Sequence, residues 1–248
     1  MTHAPTLLVL SPSTGGYYFG AVLTGVAREV AAVGGHAVVV QTLEPGQRSD
    51  EIGEPPDFRH HVHWAEVDGV VSITSAVGTP YLSRLQDAGL PVAVASNQLP
   101  GLVAPSAMPD NHGGTVAAVE HLIAHGHTRI GFVGNLVQRD LRDRYDAYLQ
   151  TLAAHGLVAD PDHLYRAGDN GEPGGVQAAA AFLATRSRPT ALMTATDRNA
   201  IGLREDLKGL EGLSVAPMGE EDTAQVFQVA ENIPTADPPF TEHPTRRC

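Results

Sequence analysis

The chain has little of what disulfide cross-linking or membrane insertion requires. Its single cysteine, Cys248, is the last of 248 residues, so no disulfide can form within the chain. This usage fits a reducing compartment. No apolar run approaches the roughly 20 residues of a membrane helix. The N-terminus also lacks the basic segment, apolar core and cleavage site of a signal peptide. We therefore expect a cytoplasmic protein that does not associate with membranes.

Basic residues are scarce as well. The chain has 16 lysines and arginines against 28 aspartates and glutamates, which gives a net charge of −12. A surface of this charge repels phosphate backbones, so the chain alone is a poor nucleic-acid binder. The hydrophobic fraction of 42% is typical of a globular protein, and the length is sufficient for two domains with separate cores.

Residues 106–134 carry the most specific pattern in the sequence. An Asp-Asn pair at Asp110 can cap a helix, and two glycines from Gly113 allow the first turn to lie close to a neighbouring element. Apolar residues at helical spacing follow, and Gly126 ends the helix. The apolar run Ile130–Gly134 comes next. A capped helix, a glycine stop and a buried strand together indicate half of a parallel crossover unit.

Strands and helices alternate along the chain, which predicts the α/β class with parallel doubly wound sheets. After Gly209 the pattern weakens. The segment around Pro217 is a poor strand, because proline cannot donate a ladder hydrogen bond. We predict an N-terminal lobe over residues 1–105, a C-terminal lobe over residues 106–230 and an irregular, proline-rich tail over residues 231–248. The predicted strands are Leu7–Leu10, Ala37–Thr42, Val67–Thr74, Pro91–Ser96, Ile130–Gly134, His163–Ala167 and Thr190–Thr196.

The run from Asp110 to Gly134 resembles the hinge-crossing region of the LacI/GalR family, whose regulators share a core with periplasmic sugar-binding proteins. Family members typically have an Asp-Asn-x-x-Gly turn, a helix ending near His-Leu-Ile, then Gly-His-x-x-Ile and a strand, and this chain has these features in the same order. The resemblance extends to about residue 200. It implies a two-lobed, periplasmic-binding-protein-like fold of type I with a cleft between the lobes.

Two departures from the family bear on stability and partners. Relative to family members, the chain lacks the helix-turn-helix DNA reader and the end of the second lobe, so we expect that lobe to be truncated. Its strands Ile130–Val133 and Thr190–Ala195 are apolar enough to need cover on both faces. We therefore expect the second lobe to be less stable than the first, with weak amide protection beyond about residue 205.

Ligands of an open parallel sheet bind at the carboxyl ends of its strands. Family members often have an aromatic residue after the first strand that stacks on a sugar or purine ring, and Tyr18 and Phe19 occupy the matching positions. The alternative is that these rings only begin a helix. Short polar side chains after the third and fourth strands can bind a ligand or simply form turns. The predicted ligand-binding residues of the first lobe are Ser13, Tyr17, Tyr18, Phe19, Thr74 and Asn97.

In the second lobe, Arg144 matches the family arginine that precedes a glycine-aromatic pair by three residues and reaches into the cleft. We expect its side chain to be exposed and to contact the ligand. The alternative is an arginine on the solvent face of its helix that contacts no ligand. Thr196 replaces the asparagine with which relatives contact ligand, next to Asp197, and Glu221 matches the carboxylate of the family's Gly-Phe/Tyr-Asp-Asp turn. The predicted ligand-binding residues of this lobe are Arg144, Thr196, Asp197 and Glu221.

Catalytic and metal-binding motifs are scarce. The sequence has no Gly-x-Ser-x-Gly, no phosphate-binding Gly-Lys-Ser/Thr and no Gly-x-Gly-x-x-Gly, so an enzyme is the least favoured interpretation. The triplet His60-His61-x-His63 invites a metal site, but no carboxylate or cysteine follows at a recognised spacing. We interpret it as a polar loop and expect neither a metal nor another cofactor.

The sequence therefore predicts the sensing of a sugar, nucleoside or related polar metabolite in a LacI/GalR-type transcriptional regulator. The alternative is the ligand-sensing input domain of another cytoplasmic signalling protein, such as a cyclic-dinucleotide synthase. The expected partners are a small-molecule effector and a second copy of the chain in a homodimer. We expect contact with DNA only through a module not present in this chain.

Overall fold

The computed structural model describes residues 4–43, 58, 66–208, 210, 213–218 and 227–228, and the side chains of Tyr17, Phe227 and Gln228 are not among those described. The described residues form two lobes, each built around a five-stranded sheet. The first lobe contains β1 (Thr6–Ser11), α1 (Tyr17–Ala32), β2 (His36–Gln41), β3 (Gly69–Ile73), α2 (Thr79–Asp87), β4 (Val92–Ala95) and β5 (Ser106–Ala107). The second contains α3 (Asn111–Ala124), β6 (Ile130–Gly134), α4 (Arg139–Ala154), β7 (Leu164–Arg166), α5 (Glu172–Ala184), β8 (Ala191–Thr194), α6 (Asp197–Asp206), β9 (Ser214–Pro217) and β10 (Phe227–Gln228).

Both sheets are mainly parallel. The first has the strand order β2-β1-β3-β4-β5 with parallel pairings throughout. The second has the order β10-β9-β8-β6-β7, and only the pairing of β9 with β10 is antiparallel. Because β5 belongs to the first sheet, the chain crosses between the lobes from Ala107 to Asn111. The predicted α/β class with parallel doubly wound sheets is confirmed.

Helix α3 begins and ends as its sequence predicts. Asp110 Oδ1 accepts a hydrogen bond from the Gly113 N–H at 2.8 Å, which satisfies one of the free donors of the first turn. A Cβ added at Gly114 would lie 2.6 Å from Met218 Cε, so the helix approaches the end of β9 more closely than a side chain would allow. Gly126 adopts a φ of 87° after the last turn, in the left-handed region that glycine tolerates.

Helices cover the second sheet on both faces. Side chains of α3 and α4 form one buried cluster with β6 and β8, and side chains of α5 and α6 form another on the opposite face. Every residue of β6, β8 and β9 is buried. The expectation that the missing end of the second lobe leaves these strands without cover on both faces is therefore wrong for the described residues.

Glycines allow α5 and α6 to approach each other closely over this sheet. A Cβ added at Gly202 would lie 1.9 Å from the backbone oxygen of Glu172, and one added at Gly175 would lie 2.1 Å from that of Asn199. Neither distance leaves room for a side chain, so the approach of the two helices depends on glycine at both positions.

The segment around Pro217 is a regular strand, which corrects the prediction of a poor one. Ser214 N donates to Thr190 O at 3.2 Å and Met218 N donates to Thr194 O at 3.0 Å, so the alternate N–H groups of β9 point toward β8. The nitrogen of Pro217 points the other way, where β10 pairs only with Ser214 and Val215. The missing N–H therefore costs the β8–β9 ladder nothing.

The first sheet is covered unevenly. Its main buried cluster involves α2 and the strands β1, β3 and β4. The edge strand β2 leaves Val38 and Val39 47% and 40% exposed, and no described side chain of α1 is fully buried. None of the helices in the described ranges combines the length and apolar character that a membrane crossing requires.

Candidate functional site

Two neighbouring strands of the first sheet end in an uncommon backbone conformation. Thr74 follows β3 with a φ of 50°, and Ser96 follows β4 with a φ of 58°. Each is fixed by a backbone hydrogen bond of 2.7 Å to the next strand, from Thr74 N to Ala95 O and from Ser96 N to Ala107 O. Such a conformation costs a non-glycine residue about 1–3 kcal/mol and persists only where the surroundings impose it.

The side chains at these strand ends form a small uncharged polar group. Asn97 Nδ2 donates to Thr74 O at 3.2 Å and to Ser75 Oγ at 3.1 Å, which joins the ends of β3 and β4. The Thr74 hydroxyl is buried, and no described residue forms a hydrogen bond with it. Two of the predicted residues, Thr74 and Asn97, thus lie together at the carboxyl edge of the sheet, where ligands of parallel sheets bind.

The loop after β1 places the other predicted residues of the first lobe. Ser13 is half-buried, and its backbone oxygen accepts a hydrogen bond from Ser11 Oγ at 2.5 Å. The half-buried rings of Tyr18 and Phe19 meet edge to face in the first turn of α1, with centroids 5.0 Å apart. Tyr17 begins the same helix. An edge-to-face ring pair at the end of β1 offers an apolar surface beside polar groups.

Arg144 is a buried residue, which corrects the expectation of an exposed one. Its side chain is 3% exposed. Nε donates to Asn111 Oδ1 at 2.9 Å, and Nη1 donates to Ala195 O at 2.5 Å. The arginine therefore connects α4 to the residue where the chain enters the second lobe and to the end of β8. These bonds give it a structural role in addition to any contact with a ligand.

Thr196 caps the helix that follows β8. Its hydroxyl accepts a hydrogen bond from Asn199 N at 3.2 Å and donates to Asn170 O at 3.0 Å. Asp197 is the exposed first residue of α6. Glu221 lies outside the described residues, as does the His60-His61-x-His63 triplet. In the part of the chain that is described, no three His, Cys, Asp or Glu side chains are placed to hold a metal ion.

A cavity of about 460 Å³ lies where the chain crosses between the lobes. Its walls combine the end of β4, the crossing segment and one face of α4. Four carboxylates and one arginine give the cavity an excess of negative charge, and the Arg139 Nε lies 4.0 Å from Asp143 Oδ2. Burial raises the pKa of the Asp140 carboxyl, and the nearby charge of Arg144 partly offsets this effect. The lining residues are Asn97, Gln98, Met108, Pro109, Asp110, Asn111, His112, Arg139, Asp140, Asp143, Asp146, Ala147 and Gln150.

The structure brings only some of the predicted residues together. Among those it describes, Asn97 alone lines the cavity, while Arg144 lies behind its wall on α4. Sequence reasoning missed Asn111 as a partner of Arg144 and missed the carboxylates of α4. A signal for the buried position of Arg144 was present, because it shares a helix face with Leu141 and Tyr148 at spacings of three and four residues.

Comparison with known proteins agrees with this architecture. Residues 5–226 match the family model described as periplasmic binding proteins and sugar binding domain of LacI family. The HTH-type transcriptional repressor CytR of Escherichia coli is 27% identical over 244 residues, which are 95% of this chain and 66% of CytR. The HTH-type transcriptional regulator GalR of Escherichia coli is 37% identical over 94 residues, 38% of this chain and 27% of GalR.

Solved structures show the same fold. A LacI family transcriptional regulator from Mycobacterium smegmatis superimposes with a TM-score of 0.67 at 24% identity, over 86% of this chain and 77% of that protein. The chain spans 66% of the length of CytR. With more than half of its residues matched by the family model, the chain belongs to the family of periplasmic binding proteins and LacI-type sugar-binding domains.

Proposed function

We propose that the chain is the effector-sensing domain of a LacI/GalR-type transcriptional regulator. The observation that carries the proposal is the cavity whose walls come from the end of β4, the crossing segment and α4. A molecule held there touches both lobes, so its affinity depends on how the lobes are arranged. It therefore favours the arrangement that it binds more tightly. The regulators among the relatives favour this function over an input domain of another signalling protein.

The chemistry of the walls favours an uncharged, hydroxyl-rich effector such as a sugar or nucleoside. Carboxylates accept hydrogen bonds from hydroxyl groups but repel phosphates. The cavity has four carboxylates, Asp110, Asp140, Asp143 and Asp146, against the single arginine Arg139. The side-chain amides of Asn97 and Gln98 add neutral donors and acceptors to the walls. Apart from Asn97, which lines the cavity, the family resemblance and not the cavity supports the further proposal that the residues around the effector are Ser13, Tyr17, Tyr18, Phe19, Thr74, Asn97, Arg144, Thr196, Asp197 and Glu221.

A thermal-shift experiment with enantiomers tests the proposal. D-ribose, D-galactose and cytidine are compared with L-ribose, L-galactose and D-glucose 6-phosphate, each at 10 mM in the assay. A ligand at about 100 times its Kd stabilises the folded state by about 2.7 kcal/mol, which raises the Tm of a domain of this size by roughly 5–10 °C. We expect such a rise with at least one D-sugar or cytidine and none with its L-form or with the phosphate. The enantiomers remove the general stabilising effect of concentrated sugars.

Variants show whether the shift comes from this site. Asn97→Ala should abolish the ligand-induced shift, because it removes the amide that joins the strand ends in the wall of the cavity. Val103→Ala is the matched truncation of a side chain that is 91% exposed, and it should leave the shift unchanged. Equal shifts with both enantiomers, or a shift only with the phosphate, would contradict the proposal.

The proposed partners follow from charge and family. We propose that the whole regulator is a cytoplasmic homodimer whose DNA contacts are made by a separate module and not by this domain. With a net charge of −12, the chain itself should bind duplex DNA no better than a generic acidic protein. A salt-sensitive, sub-micromolar complex with a promoter fragment in a gel-shift assay would show that the chain contacts DNA directly.

A further inference from the structure

Asn111 is the one buried polar residue in the described wall of the cavity at the crossing between the lobes. It is 7% exposed, whereas the other described polar side chains that line this cavity are half-buried or exposed. It is the first residue of α3, directly after the crossing segment. The protein therefore fixes which polar atoms of this side chain the cavity presents to a bound molecule.

The two ends of the Asn111 amide are in different situations. Oδ1 accepts a hydrogen bond from Arg144 Nε at 2.9 Å. No residue in the described ranges forms a hydrogen bond with Nδ2, although the polar groups of buried residues are nearly always paired. The two N–H donors of this nitrogen are therefore available to a molecule in the cavity.

The rest of the second lobe's wall offers mainly acceptors. Its aspartates accept hydrogen bonds when ionised and donate none. The Arg139 side chain is 62% exposed, and its Nε lies 4.0 Å from the Asp143 carboxylate. The neutral amides of Asn97 and Gln98 belong to the first lobe. On the side of the second lobe, Asn111 thus supplies a buried donor among carboxylates.

Arg144 determines which end of the Asn111 amide faces the cavity. The terminal torsion of an asparagine has a broad, twofold preference, so the free amide can turn its oxygen and nitrogen either way. Arg144 has donors only and can bond to the oxygen but not to the nitrogen. The guanidinium is itself buried, because Nη1 donates to Ala195 O at 2.5 Å at the end of β8. Hydrogen bonds from a charged donor are about twice as strong as neutral ones.

We infer that Arg144 is a positioning residue that acts through Asn111: it holds Oδ1 and so turns the Nδ2 donors toward the effector. This inference rests on the proposed function and deepens it, because it names the chemistry that the site reads. The effector presents an acceptor, such as a carbonyl or ring oxygen, to Asn111, while its hydroxyl groups donate to the aspartates. Arg144 contributes to affinity without touching the effector.

Asn111→Asp separates the donor from the bond to Arg144. The carboxylate has nearly the same size and still accepts from Arg144, but it has no N–H to donate. Without ligand, this variant should keep or raise the Tm, because a negative charge in the first turn of a helix is favourable and the partner is a cation. Asn111→Ala leaves Arg144 Nε without its acceptor and should lower the Tm by about 4–8 °C.

Calorimetry with D-ribose, D-galactose and cytidine measures the affinity. Asn111→Asp should bind whichever of these binds the unchanged chain about tenfold more weakly, near the upper end of the loss for one neutral hydrogen bond. The matched control is Gln177→Glu, the same amide-to-acid change at an exposed position of α5. Gln177 Oε1 likewise accepts a hydrogen bond, from Gly168 N at 2.8 Å, and lies outside the cavity wall. This control should leave the affinity unchanged.

Arg144→Lys tests the positioning role. It keeps the positive charge but replaces the planar fork by a single ammonium group, which cannot bond to Asn111 Oδ1 and Ala195 O in the same geometry. The Asn111 amide is then free to turn, and the affinity should fall roughly fivefold, within the range for one hydrogen bond. In the Asn111→Asp background the same change should have no further effect, because the two oxygens of a carboxylate are equivalent and its orientation no longer matters.

A merely structural role of Arg144 would lower the affinity by the same factor in both backgrounds. That result, or full affinity in Asn111→Asp, would overturn the inference. If none of the three compounds binds the unchanged chain, the proposed function fails and the inference fails with it. If one of them binds and the variants do not behave as described, only the inference fails.

Discussion

Among the described residues, the first lobe leaves one edge strand of its sheet partly exposed, whereas the second lobe encloses its sheet between two pairs of helices. In the first lobe, Val38 and Val39 of the edge strand remain 47% and 40% exposed, and no described side chain of α1 is fully buried. In the second lobe, β6, β8 and β9 contain only buried residues, with separate hydrophobic clusters on the two faces of the sheet. Apolar strands of similar composition thus end in different environments.

The difference indicates that burial of a strand by helices and neighbouring strands, more than its composition, decides which lobe is the more stable. The run Val38-Val39-Val40 in β2 is as apolar as any strand of the second sheet, yet it lies at an edge. The central strand β8 has neighbours on both sides and helices above and below. We therefore expect the second lobe to be the more stable of the two, the reverse of the expectation from sequence.

Amide exchange measured by mass spectrometry should show the largest contrast. Amides of β6 and β8 should exchange only through global unfolding, whose free energy is about 5–15 kcal/mol for ordinary domains. Those of β2 should exchange sooner, through local opening of the sheet edge. Equal amide protection in β2 and β8 would mean that the exposed sheet edge has no effect on local stability. It would contradict the expected difference in stability between the two lobes.

Glycine-to-alanine variants in the two lobes should have opposite effects. Gly202→Ala places a Cβ 1.9 Å from the Glu172 backbone oxygen and should cost about 3 kcal/mol, at the upper end of the range for overpacking. Gly25→Ala in α1 meets no described atom within 4 Å and should stabilise the chain by about 0.5–1 kcal/mol, because alanine has the lower entropic cost in a helix. Urea unfolding of both variants measures the difference. A mild effect at Gly202 would show that α5 and α6 can move apart.

Arg144→Ala should destabilise the free protein, because Arg144 is buried and not exposed as the sequence predicted. The variant leaves Asn111 Oδ1 and Ala195 O without their donor, and we expect a loss of about 2–3 kcal/mol, in the range for buried groups left unpaired. Arg28→Ala removes an arginine whose side chain is 77% exposed in the first lobe and should change stability by less than about 0.5 kcal/mol. Thermal unfolding of the ligand-free proteins decides between the structural and the purely ligand-binding role of Arg144.

Acidification should lower the stability of the second lobe, and we expect this change to be the smallest of those predicted here. Burial, followed by the charge of His125, lowers the pKa of His127 below its ordinary value of 6.5. The ring bonds to Thr190 Oγ1 at 3.0 Å and Ser214 Oγ at 2.9 Å, at the starts of β8 and β9. The folded state thus binds the proton less readily than the unfolded state. The contribution to stability is complete above pH 6.5 and is lost as the pH falls through the lowered pKa.

Two measurements test whether His127 causes the pH effect: the stability of a variant, and the position of the amides whose exchange increases first. His127→Gln should show a shallower decline of stability between pH 7 and 5 than the unchanged chain. Amide exchange at the lower pH should increase first near Thr190 and Ser214, after correction for intrinsic rates. The same decline in the variant would assign the effect to other histidines, such as His121, whose pKa is lowered by burial and by His125 as well.

The fold is accessible from sequence because its signals are local. The Asp110 cap, the Gly126 stop and the alternation of apolar strands with helices each act within a few residues, and the structure shows them at the predicted positions. The candidate site is less accessible, because its features depend on distant contacts. The bond from Arg144 to Asn111 joins residues 33 apart in sequence. Nothing in the amino-acid sequence predicts that Thr74 and Ser96 adopt a positive φ, a conformation that glycine usually occupies.

Pro217 limits the pairing of a further strand with β9 on the side where β10 lies. Its ring removes the one N–H that a further strand would need beyond the two-residue contact with β10. Another chain that approached this side of β9 would find a register that stops after Val215. Sheets that end in this way resist growth by edge-to-edge addition, the route by which apolar strands aggregate. A residue that weakens the strand by propensity thus limits edge-to-edge pairing on this side of β9.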